Sequence, residues 1–270
     1  MNNDRNDSNN ADINQNIPAI VEDFWAQRAA GIFYPPHWFD RLNLDQACQI
    51  QLGLLDKSIA AGEQHIGWKV GLTAAAIREQ FHVHEPVFGY LLESGRLHSG
   101  AEINLADWQG AGFENELCLR LGKPLRGPGV DVAMAQAAVD SCHSAMELVE
   151  NRGDFTAQLA VAVADNVQQR AFVVGSQVPL TATADLAAIE CTVRHNGVEV
   201  AKAKGDAVMG NPYASLAWLA NKLAEFDRGL EAGQYVMSGS FTRQFPLVPG
   251  DVAETRFRGI GEVTLRIAEP

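Results

Sequence analysis

The chain has 270 residues, of which 47% are hydrophobic and 20% are charged, and its formal net charge is −12. This size and composition indicate a globular protein with room for one large domain or two small ones. The acidic balance argues against nucleic acid as a general partner, and no apolar run approaches the roughly 20 residues of a membrane-spanning helix. A small anionic substrate stays compatible with this charge if local cations or a metal ion receive it.

The N-terminus lacks the apolar core of a signal peptide, so we expect a cytoplasmic protein. Four cysteines are scattered along the chain without a C-x-x-C pair, namely Cys48, Cys118, Cys142 and Cys191. In a cytoplasmic setting this pattern favours buried thiols over disulfides or a zinc site.

The first 64 residues divide into a tail and a helical region. Residues 1–16 are rich in Asn and Asp with few apolar side chains, which predicts a disordered tail. Apolar residues recur at helical spacing over 18–30 and again over 44–61, where Gly62 ends the second predicted helix. We therefore expect an N-terminal helical region over residues 17–64.

Residues 65–73 predict a strand that opens into a helix, with Thr73 as the candidate N-cap. Lys69 stands among apolar residues and glycines in this strand. Its ammonium could extend to solvent along the apolar stem, or it could meet a carboxylate or an enolate. The loop over 80–86 follows, and its His82 and His84 are typical of surface histidines.

The central stretch, residues 112–121, alternates apolar and polar side chains as a strand does. Glu114 and Glu116 therefore project to the same face, where their charges repel each other unless a cation lies between them. Glu147 lies in another apolar run, over 144–149, where a charge is costly unless it is paired or binds metal. Three carboxylates suit Mg²⁺ or Mn²⁺. A solvated strand face carrying Glu114 and Glu116 is the alternative.

We interpret 144–149 as a strand, which leaves His143 as a structural residue rather than the partner of Glu147 in a helical metal pair. Two polar residues, Asp165 and Asn166, follow a predicted short helix and either cap a turn or face a ligand. Ser240 and Thr242 lie in a polar stretch after a strand, where their hydroxyls either line a site or belong to an ordinary turn. The remaining pattern predicts helices over 132–140, 155–164 and 212–226, a hairpin turn over 195–198, and strands over 171–174, 190–194, 198–203, 234–238, 251–256 and 262–267.

Several segments, in order, resemble the 2-hydroxypenta-2,4-dienoate (2-oxopent-4-enoate) hydratases and the related 4-oxalocrotonate decarboxylases of the fumarylacetoacetate hydrolase superfamily. The matching segments cover roughly residues 65–258 and are specific as an ordered set. They are residues 67–73, 85–89, 114–117, 122–128, 145–148, 164–166, 217–223 and 230–243.

The resemblance implies an α+β fold, a mixed β-roll over residues 65–270 with the N-terminal helical region beside it. It also implies that Glu114, Glu116 and Glu147 bind Mg²⁺ or Mn²⁺, and that Lys69 is the active-site lysine. Asp165 and Ser240 are the further catalytic candidates, and Leu117 and Thr242 the substrate-binding ones. A homo-oligomer, often built from pentamers in such hydratases, is expected, with a decarboxylase or aldolase as a possible partner.

Two positions depart from the hydratase pattern. Val87 occupies a position that is commonly Asp, and a basic residue often present before Asp165 is missing from 154–159. Both lie where the water or the far end of the substrate is expected. They leave the metal chemistry intact and weaken the case for hydration.

The resemblance thus implies a metal-dependent hydratase that adds water to a 2-hydroxydienoate or 2-oxo-alkenoate in aromatic meta-cleavage catabolism, giving a 4-hydroxy-2-oxo acid. A decarboxylase of the 4-oxalocrotonate type is the nearest alternative. An acylpyruvate hydrolase, which would need a His–Glu dyad, comes next. The last alternative is a low-activity partner subunit of a hydratase–decarboxylase complex.

Overall fold

The computed structural model describes residues 16–181 and 183–270, and they divide into two compact units. One unit holds the described residues up to Gln64 together with Arg152–Gln168, and the other holds His65–Asn151 and Gln169–Pro270. The sequence analysis expected an unbroken domain over 65–270, whereas Arg152–Gln168 leaves the sheet and packs with the helices. The expected disordered tail, except for Asn16, lies outside the described residues.

The helical unit contains α1 (Ile17–Ala29), α2 (Leu44–Ala60) and α5 (Leu159–Ala164). The first two begin within a residue of their predicted starts because local signals fix them. Pro18 occupies the first turn of α1, and the side chains and backbone amides of Asn43 and Gln46 form a reciprocal capping box at α2. The third helix begins four residues later than predicted.

A buried polar contact joins two of these helices within the unit. The Gln51 side chain donates a hydrogen bond from Nε2 to the carbonyl oxygen of Val163, at 2.7 Å. This contact ties α5 to α2 across 112 positions of sequence, which a local pattern cannot reveal.

The second unit is mainly β, with helices at its connections. Its helices are α3 (Ala75–Gln80), α4 (Val132–Ala138) and α6 (Pro212–Ala224). Its strands are β1 (His65–Gly71), β2 (Val87–Leu92), β3 (Arg96–His98), β4 (Ala101–Ile103), β5 (Ala111–Leu121), β6 (Val139–Glu150), β7 (Gln169–Val174), β8 (Val178–Pro179), β9 (Glu190–His195), β10 (Val198–Lys204), β11 (Tyr235–Met237), β12 (Phe245–Pro246), β13 (Val252–Phe257) and β14 (Gly261–Ile267).

The strands form a larger and a smaller sheet. The larger follows the order β2-β1-β11-β5-β6-β7-β3, with β12 added to β5 and β8 to β6, and the smaller follows β10-β9-β13-β14-β4. Parallel pairs, such as β1 with β11, mix with antiparallel pairs, such as β5 with β6. The mixed, curled sheet and the N-terminal helices confirm the expected α+β class.

Long strands β5 and β6 lie at the centre of the larger sheet and are buried along most of their length, so the polar side chains that interrupt their apolar residues are buried as well. The predicted hairpin turn is confirmed: Asn196 (φ 54°) and Gly197 (φ 76°) form a left-handed pair between β9 and β10.

Two local expectations change. Thr73 is not an N-cap, since α3 begins at Ala75 with Ala74 in the capping position, and Thr73 is instead buried. The run Val87–Leu92 forms β2, which the sequence analysis did not predict because its apolar residues do not alternate with polar ones.

The four cysteines are buried and free, as predicted. Among the described residues, no helix combines the length and the apolar character that crossing a bilayer requires.

Candidate metal centre

The candidate centre lies where β5 pairs with β6. Strand alternation places Glu114 and Glu116 on one face of β5, and the antiparallel register sets Glu147 of β6 directly opposite Glu114. Opposite residues in such a pair point to the same side of the sheet. The three carboxylates therefore converge because side chains alternate along β5 and because β5 and β6 pair in this register.

One carboxylate oxygen from each of Glu114, Glu116 and Glu147 lies within 4.8 Å of the other two. Glu116 and Glu147 are 0% and 1% exposed, whereas Glu114 keeps partial access to solvent. Burying three like charges together is unfavourable unless protons or a cation neutralise them.

This crowding raises the pKa of two of the carboxyls in the metal-free protein. Burial, followed by the charge of Glu147, raises the pKa of Glu114 to about 7. Burial, followed by the charges of Glu147 and Glu114, raises the pKa of Glu116 well above its ordinary value. The cluster therefore favours bound protons or a bound cation at neutral pH.

Lys69 brings one positive charge to the group from β1. Its side chain is 3% exposed, and its Nζ lies 3.1 Å from Glu147 Oε1. A single ammonium does not balance three carboxylates. The nearby charge of Lys69 lowers the pKa of Glu114 and Glu116, but burial and the neighbouring carboxylates outweigh it.

Two carboxylate oxygens, Glu116 Oε1 and Glu147 Oε2, are buried and accept no hydrogen bond from any described residue. Buried acceptors without partners are rare in folded proteins. An all-oxygen set with uncompensated negative charge is the donor type that Mg²⁺ and Mn²⁺ prefer. The residues present therefore fit a hard divalent cation, and Glu114, Glu116 and Glu147 would hold it.

A backbone amide positions one of the carboxylates. The N–H of Gly239 donates a hydrogen bond of 2.8 Å to Glu116 Oε2. Gly239 has φ +112°, and a Cβ at this position would lie 2.4 Å from Thr73 Cγ2. Both conditions require glycine. The sequence analysis did not identify Gly239 or Thr73 as part of the site, and the one available signal was the Ser-Gly-Ser segment after a strand.

The hydroxyls of Ser240 and Thr242 fasten this loop to β5 beside the carboxylates. Ser240 Oγ accepts a hydrogen bond from the backbone N–H of Asn115 at 3.3 Å, and Thr242 Oγ1 accepts one from Asn115 Nδ2 at 2.8 Å. Asn115 is fully buried, and its Oδ1 accepts from the Thr255 hydroxyl. Thr242 Oγ1 also donates to the carbonyl of Arg243 at 3.0 Å. Both predicted hydroxyls are thus engaged within the protein.

Leu117 is fully buried, and strand alternation directs its side chain to the face opposite the carboxylates. Its carbonyl oxygen accepts a hydrogen bond of 3.1 Å from the N–H of Ser238, the residue before Gly239. The backbone of Leu117 therefore holds the loop that binds Glu116.

Asp165 belongs to the helical unit, where two arginines bind its carboxylate. Arg28 Nη2 lies 3.1 Å from Oδ1, and Arg152 Nε lies 2.6 Å from Oδ2. Burial raises the pKa of Asp165, and the two arginines oppose that shift. Arg152 lies just before the segment 154–159, in which the sequence analysis noted a missing basic residue.

The loop histidines are separate from this group. His82 and His84 line an open pocket with Arg78 and Glu79, and the acidic group that could hold a metal contains no histidine among the described residues. Glu85, the acidic candidate for a His–Glu dyad, accepts a hydrogen bond from Lys222 Nζ at 2.9 Å.

Comparison with known proteins adds family information to this geometry. Residues 62–268 match the family described as Fumarylacetoacetate (FAA) hydrolase C-terminal. The chain is 33% identical over 234 residues to a 2-hydroxyhexa-2,4-dienoate hydratase of Comamonas testosteroni, covering 84% of this chain and 88% of that protein. It is 31% identical over 221 residues to a 4-oxalocrotonate decarboxylase of Pseudomonas sp. strain CF600, covering 82% of this chain and 84% of that protein.

Among solved structures, a 4-oxalocrotonate decarboxylase from Pseudomonas putida G7, complexed with magnesium and adipate, superposes with a TM-score of 0.87. That match has 28% identity and covers 94% of this chain and 98% of the other. A fumarylpyruvate hydrolase from Pseudomonas aeruginosa, in complex with Mn²⁺ and pyruvate, shares the fold at a TM-score of 0.61, with 15% identity and coverage of 76% and 90%.

Proposed function

The chain belongs to the fumarylacetoacetate hydrolase family, and from that premise we propose that it is a metal-dependent hydro-lyase. Its substrate would be a 2-hydroxydienoate or the 2-oxo tautomer, and its product a 4-hydroxy-2-oxo acid. One observation carries the proposal: three carboxylates with oxygens within 4.8 Å of one another. The hydratase at 33% identity supports the choice of reaction.

Mg²⁺ or Mn²⁺ held by Glu114, Glu116 and Glu147 would act as a Lewis acid on the C1 carboxylate and C2 oxygen of an α-keto acid head. The backbone N–H of Gly239 fixes one oxygen of Glu116 and so keeps the carboxylates in place. The uncompensated negative charge of the group provides the attraction for the cation.

We assign proton transfer to Lys69. The Lys69 ammonium would give a proton to C5 of the dienol, and the resulting amine would take up the proton that leaves the C2 hydroxyl; water then adds its hydroxyl to C4 and its proton to C3. Lys69 is nearly excluded from water, so its ammonium stabilises developing charge on the C2 oxygen more strongly than an exposed lysine would. Its contact with Glu147 holds Nζ beside the proposed metal ligands.

Ser240 and Thr242 support the reaction, in this proposal, by holding the Gly239 loop against β5. The backbone of Leu117 acts in the same way. A water-orienting role for Asp165 stays a prediction from the sequence. Cytoplasmic location, a pentamer-based homo-oligomer and a decarboxylase or aldolase partner stay predictions as well.

Decarboxylation is the second candidate, and specific observations favour it. Val87 stands where the hydratase pattern has an acidic residue, and a decarboxylase superposes over 94% of this chain. In that reaction a 2-oxo-3-enedioate loses its distal carboxylate as CO₂, and the C2 oxygen takes a proton. Lys69 could supply that proton from the same position. The acylpyruvate hydrolase has less support, since Glu85 is paired with Lys222.

The deciding experiment supplies the purified protein and Mg²⁺ with 2-hydroxypenta-2,4-dienoate and, separately, with 2-oxohex-3-enedioate. Loss of dienol absorbance from the first without CO₂ supports hydration. Release of CO₂ from the second alone would replace hydration by decarboxylation. Turnover by the isolated chain separates an enzyme from a partner subunit of low activity.

A variant tests the centre itself. Glu116→Gln should weaken Mn²⁺ binding by at least about a hundredfold and abolish turnover, because it removes one ligand charge from a buried site. Glu199→Gln, in a surface ion pair with Lys202, is the matched control and should change neither. Full metal affinity and turnover in Glu116→Gln would refute the proposed centre.

A further inference from the structure

A second polar group lies on the same face of the larger sheet as the carboxylates. Arg120 follows Glu116 by four residues along β5, which places their Cα atoms about 13 Å apart. Tyr235 of β11 lies opposite Arg120, and His143 of β6 lies opposite Cys118, the residue between them on that face. The register therefore brings Arg120, His143 and Tyr235 together.

The side chains meet around the Tyr235 ring. The guanidinium carbons of Arg120 and Arg96 each lie 5.9 Å from its centroid, and the His143 ring centroid lies 5.7 Å from it. We call Arg96, Arg120, His143 and Tyr235 the basic cluster.

Packed apolar side chains separate the basic cluster from the carboxylates. Cys118 and Met237 are fully buried between the two groups and belong to one hydrophobic cluster with Leu91, Ala145 and Phe172. A substrate held at the carboxylates would meet this layer before it reached Arg120. The basic cluster is therefore a separate place on the sheet.

Ion pairs compensate the charges of the basic cluster only in part: Asp140 acts on His143 through its charge, but among the described residues it forms no ion pair with Arg120. Arg96 is paired with Glu93, whose two carboxylate oxygens each lie 3.1 Å from Arg96 Nε. Within residues 16–181 and 183–270, Arg120 has no carboxylate partner, and its Nε is buried without a hydrogen bond. A half-buried guanidinium in this state is short of an anion.

His143 supplies an independent sign of a missing ligand. It is 5% exposed, its Nδ1 donates to the carbonyl of Gly175 at 2.9 Å, and its Nε2 is buried with no partner among the described residues. Burial lowers the pKa of His143, and the charges of Arg120 and Arg96 lower it further; the hydrogen bond to Gly175 and the charge of Asp140 oppose this shift without reversing it. The ring is therefore neutral, and Nε2 is an acceptor that lacks a donor.

The geometry points to a binding site for a small oxyanion that also carries a hydroxyl, formed by Arg120, His143 and Tyr235. The ionised oxygens would pair with the Arg120 guanidinium, which matches carboxylate and phosphate groups. The hydroxyl would donate to His143 Nε2. Hydrogen phosphate and a hydroxy acid share this chemistry. The site is independent of the reaction proposed above.

Isothermal titration calorimetry of the full chain, loaded with Mg²⁺ and at constant ionic strength, tests the site. The probes are inorganic phosphate, lactate and propionate, the last two differing by one hydroxyl. We expect saturable binding of phosphate and lactate and weaker binding of propionate. Arg120→Gln should lose at least about tenfold in affinity for phosphate, because a charge-assisted contact is lost. Arg258→Gln, an exposed arginine paired with Glu190, is the control and should bind as the wild type does.

His143→Phe keeps a ring and removes the acceptor, so it should abolish the preference for lactate over propionate. Arg120→Gln also removes an uncompensated charge. Its Tm should therefore equal or exceed that of the wild type, and phosphate should raise the Tm of the wild type alone. This second readout shows that the variant is folded.

Three results would overturn the proposal. The first is the absence of saturable binding to the wild type, and the second is unchanged phosphate affinity in Arg120→Gln. The third is a combination of two results: the wild type binds none of the three probes, and light scattering shows that the wild type is an assembly which dissociates in Arg120→Gln. That result would assign Arg120 to a contact between copies of the chain.

Discussion

Lys69 Nζ lies 3.1 Å from Glu147 Oε1, and the two side chains are only 3% and 1% exposed. A buried ion pair of this kind adds little stability by itself, but the loss of one partner leaves the other charge buried and unpaired. The pair therefore links the stability of the metal-free protein to the chemistry proposed for Lys69.

Lys69→Met should lower kcat by at least about a hundredfold, because general acid–base groups contribute this much or more. It should also lower the Tm in EDTA, since Glu147 loses its cation, and added Mg²⁺ should restore much of that loss. Steady-state kinetics and thermal unfolding measure the two effects. Lys202→Met, an exposed lysine, is the control. Undiminished kcat in Lys69→Met would contradict the role assigned to this residue.

Glu114 makes the stability of the metal-free protein depend on pH. Burial and the charge of Glu147 raise its pKa from 4.5 to about 7, so the folded state binds this proton more tightly than the unfolded state does. The contribution is complete below pH 4.5 and is lost as the pH rises through 7. In EDTA, the wild type should therefore lose stability relative to Glu114→Gln across this range.

Metal binding should show the opposite trend. The cation needs ionised carboxylates, so the affinity for Mg²⁺ should rise as the pH rises through about 7. Urea unfolding of both proteins in EDTA, from pH 5 to pH 8, measures the first effect, and calorimetric titration with Mg²⁺ measures the second. A difference between wild type and Glu114→Gln that stays constant with pH would contradict the shifted pKa.

The sequence revealed the acidic pair but not what surrounds it. Alternation along β5 places Glu114 and Glu116 on one face from local information alone. The apolar run around Glu147 marked it as a candidate ligand, but its position opposite Glu114 depends on the register of β5 with β6, which no local pattern gives. Gly239 was missed for the same reason, because its partner Thr73 is distant in sequence and no local pattern joins them.

The division of the chain into two units also depends on contacts between distant residues, which local sequence patterns do not reveal. The helix α5 has a short apolar sequence, and nothing local shows that it packs with α2 rather than with the sheet that precedes and follows it. The hydrogen bond from Gln51 to Val163 joins elements that only the folded chain brings together. Helices α1 and α2 were predicted from the helical spacing of their apolar residues, and the structure adds a proline and a capping box that fix their starts.

Gly239→Ala should reduce both stability and activity. The new Cβ would lie 2.4 Å from Thr73 Cγ2, and φ +112° is unfavourable for alanine. A cost of about 1–3 kcal/mol is expected from the strained backbone alone. If the loop moves to relieve the contact, the N–H leaves Glu116 Oε2, and the affinity for Mn²⁺ should fall by about tenfold or more.

A second substitution separates the two causes. Thr73→Ala removes the two closest contacting atoms, Cγ2 and Oγ1, so Gly239→Ala should be less harmful in that background, and a double-mutant cycle measures the difference. The remaining loss reports the backbone conformation together with the contact at 3.0 Å that Thr73 Cβ keeps. If the two substitutions were additive in unfolding free energy, the close contact with Thr73 would not be the cause.

Asp165→Asn distinguishes a structural role from a catalytic one. Arg28 and Arg152 both bind this carboxylate, and its side chain is 1% exposed, so removing its charge leaves two arginines without their anion. We expect a loss of about 3–5 kcal/mol in unfolding free energy. The affinity for Mg²⁺ should stay close to that of the wild type, because the three metal-binding candidates lie in the other unit. Denaturant unfolding and calorimetric titration measure the two quantities. Normal stability with a kcat at least about a hundredfold lower would instead assign Asp165 to the reaction.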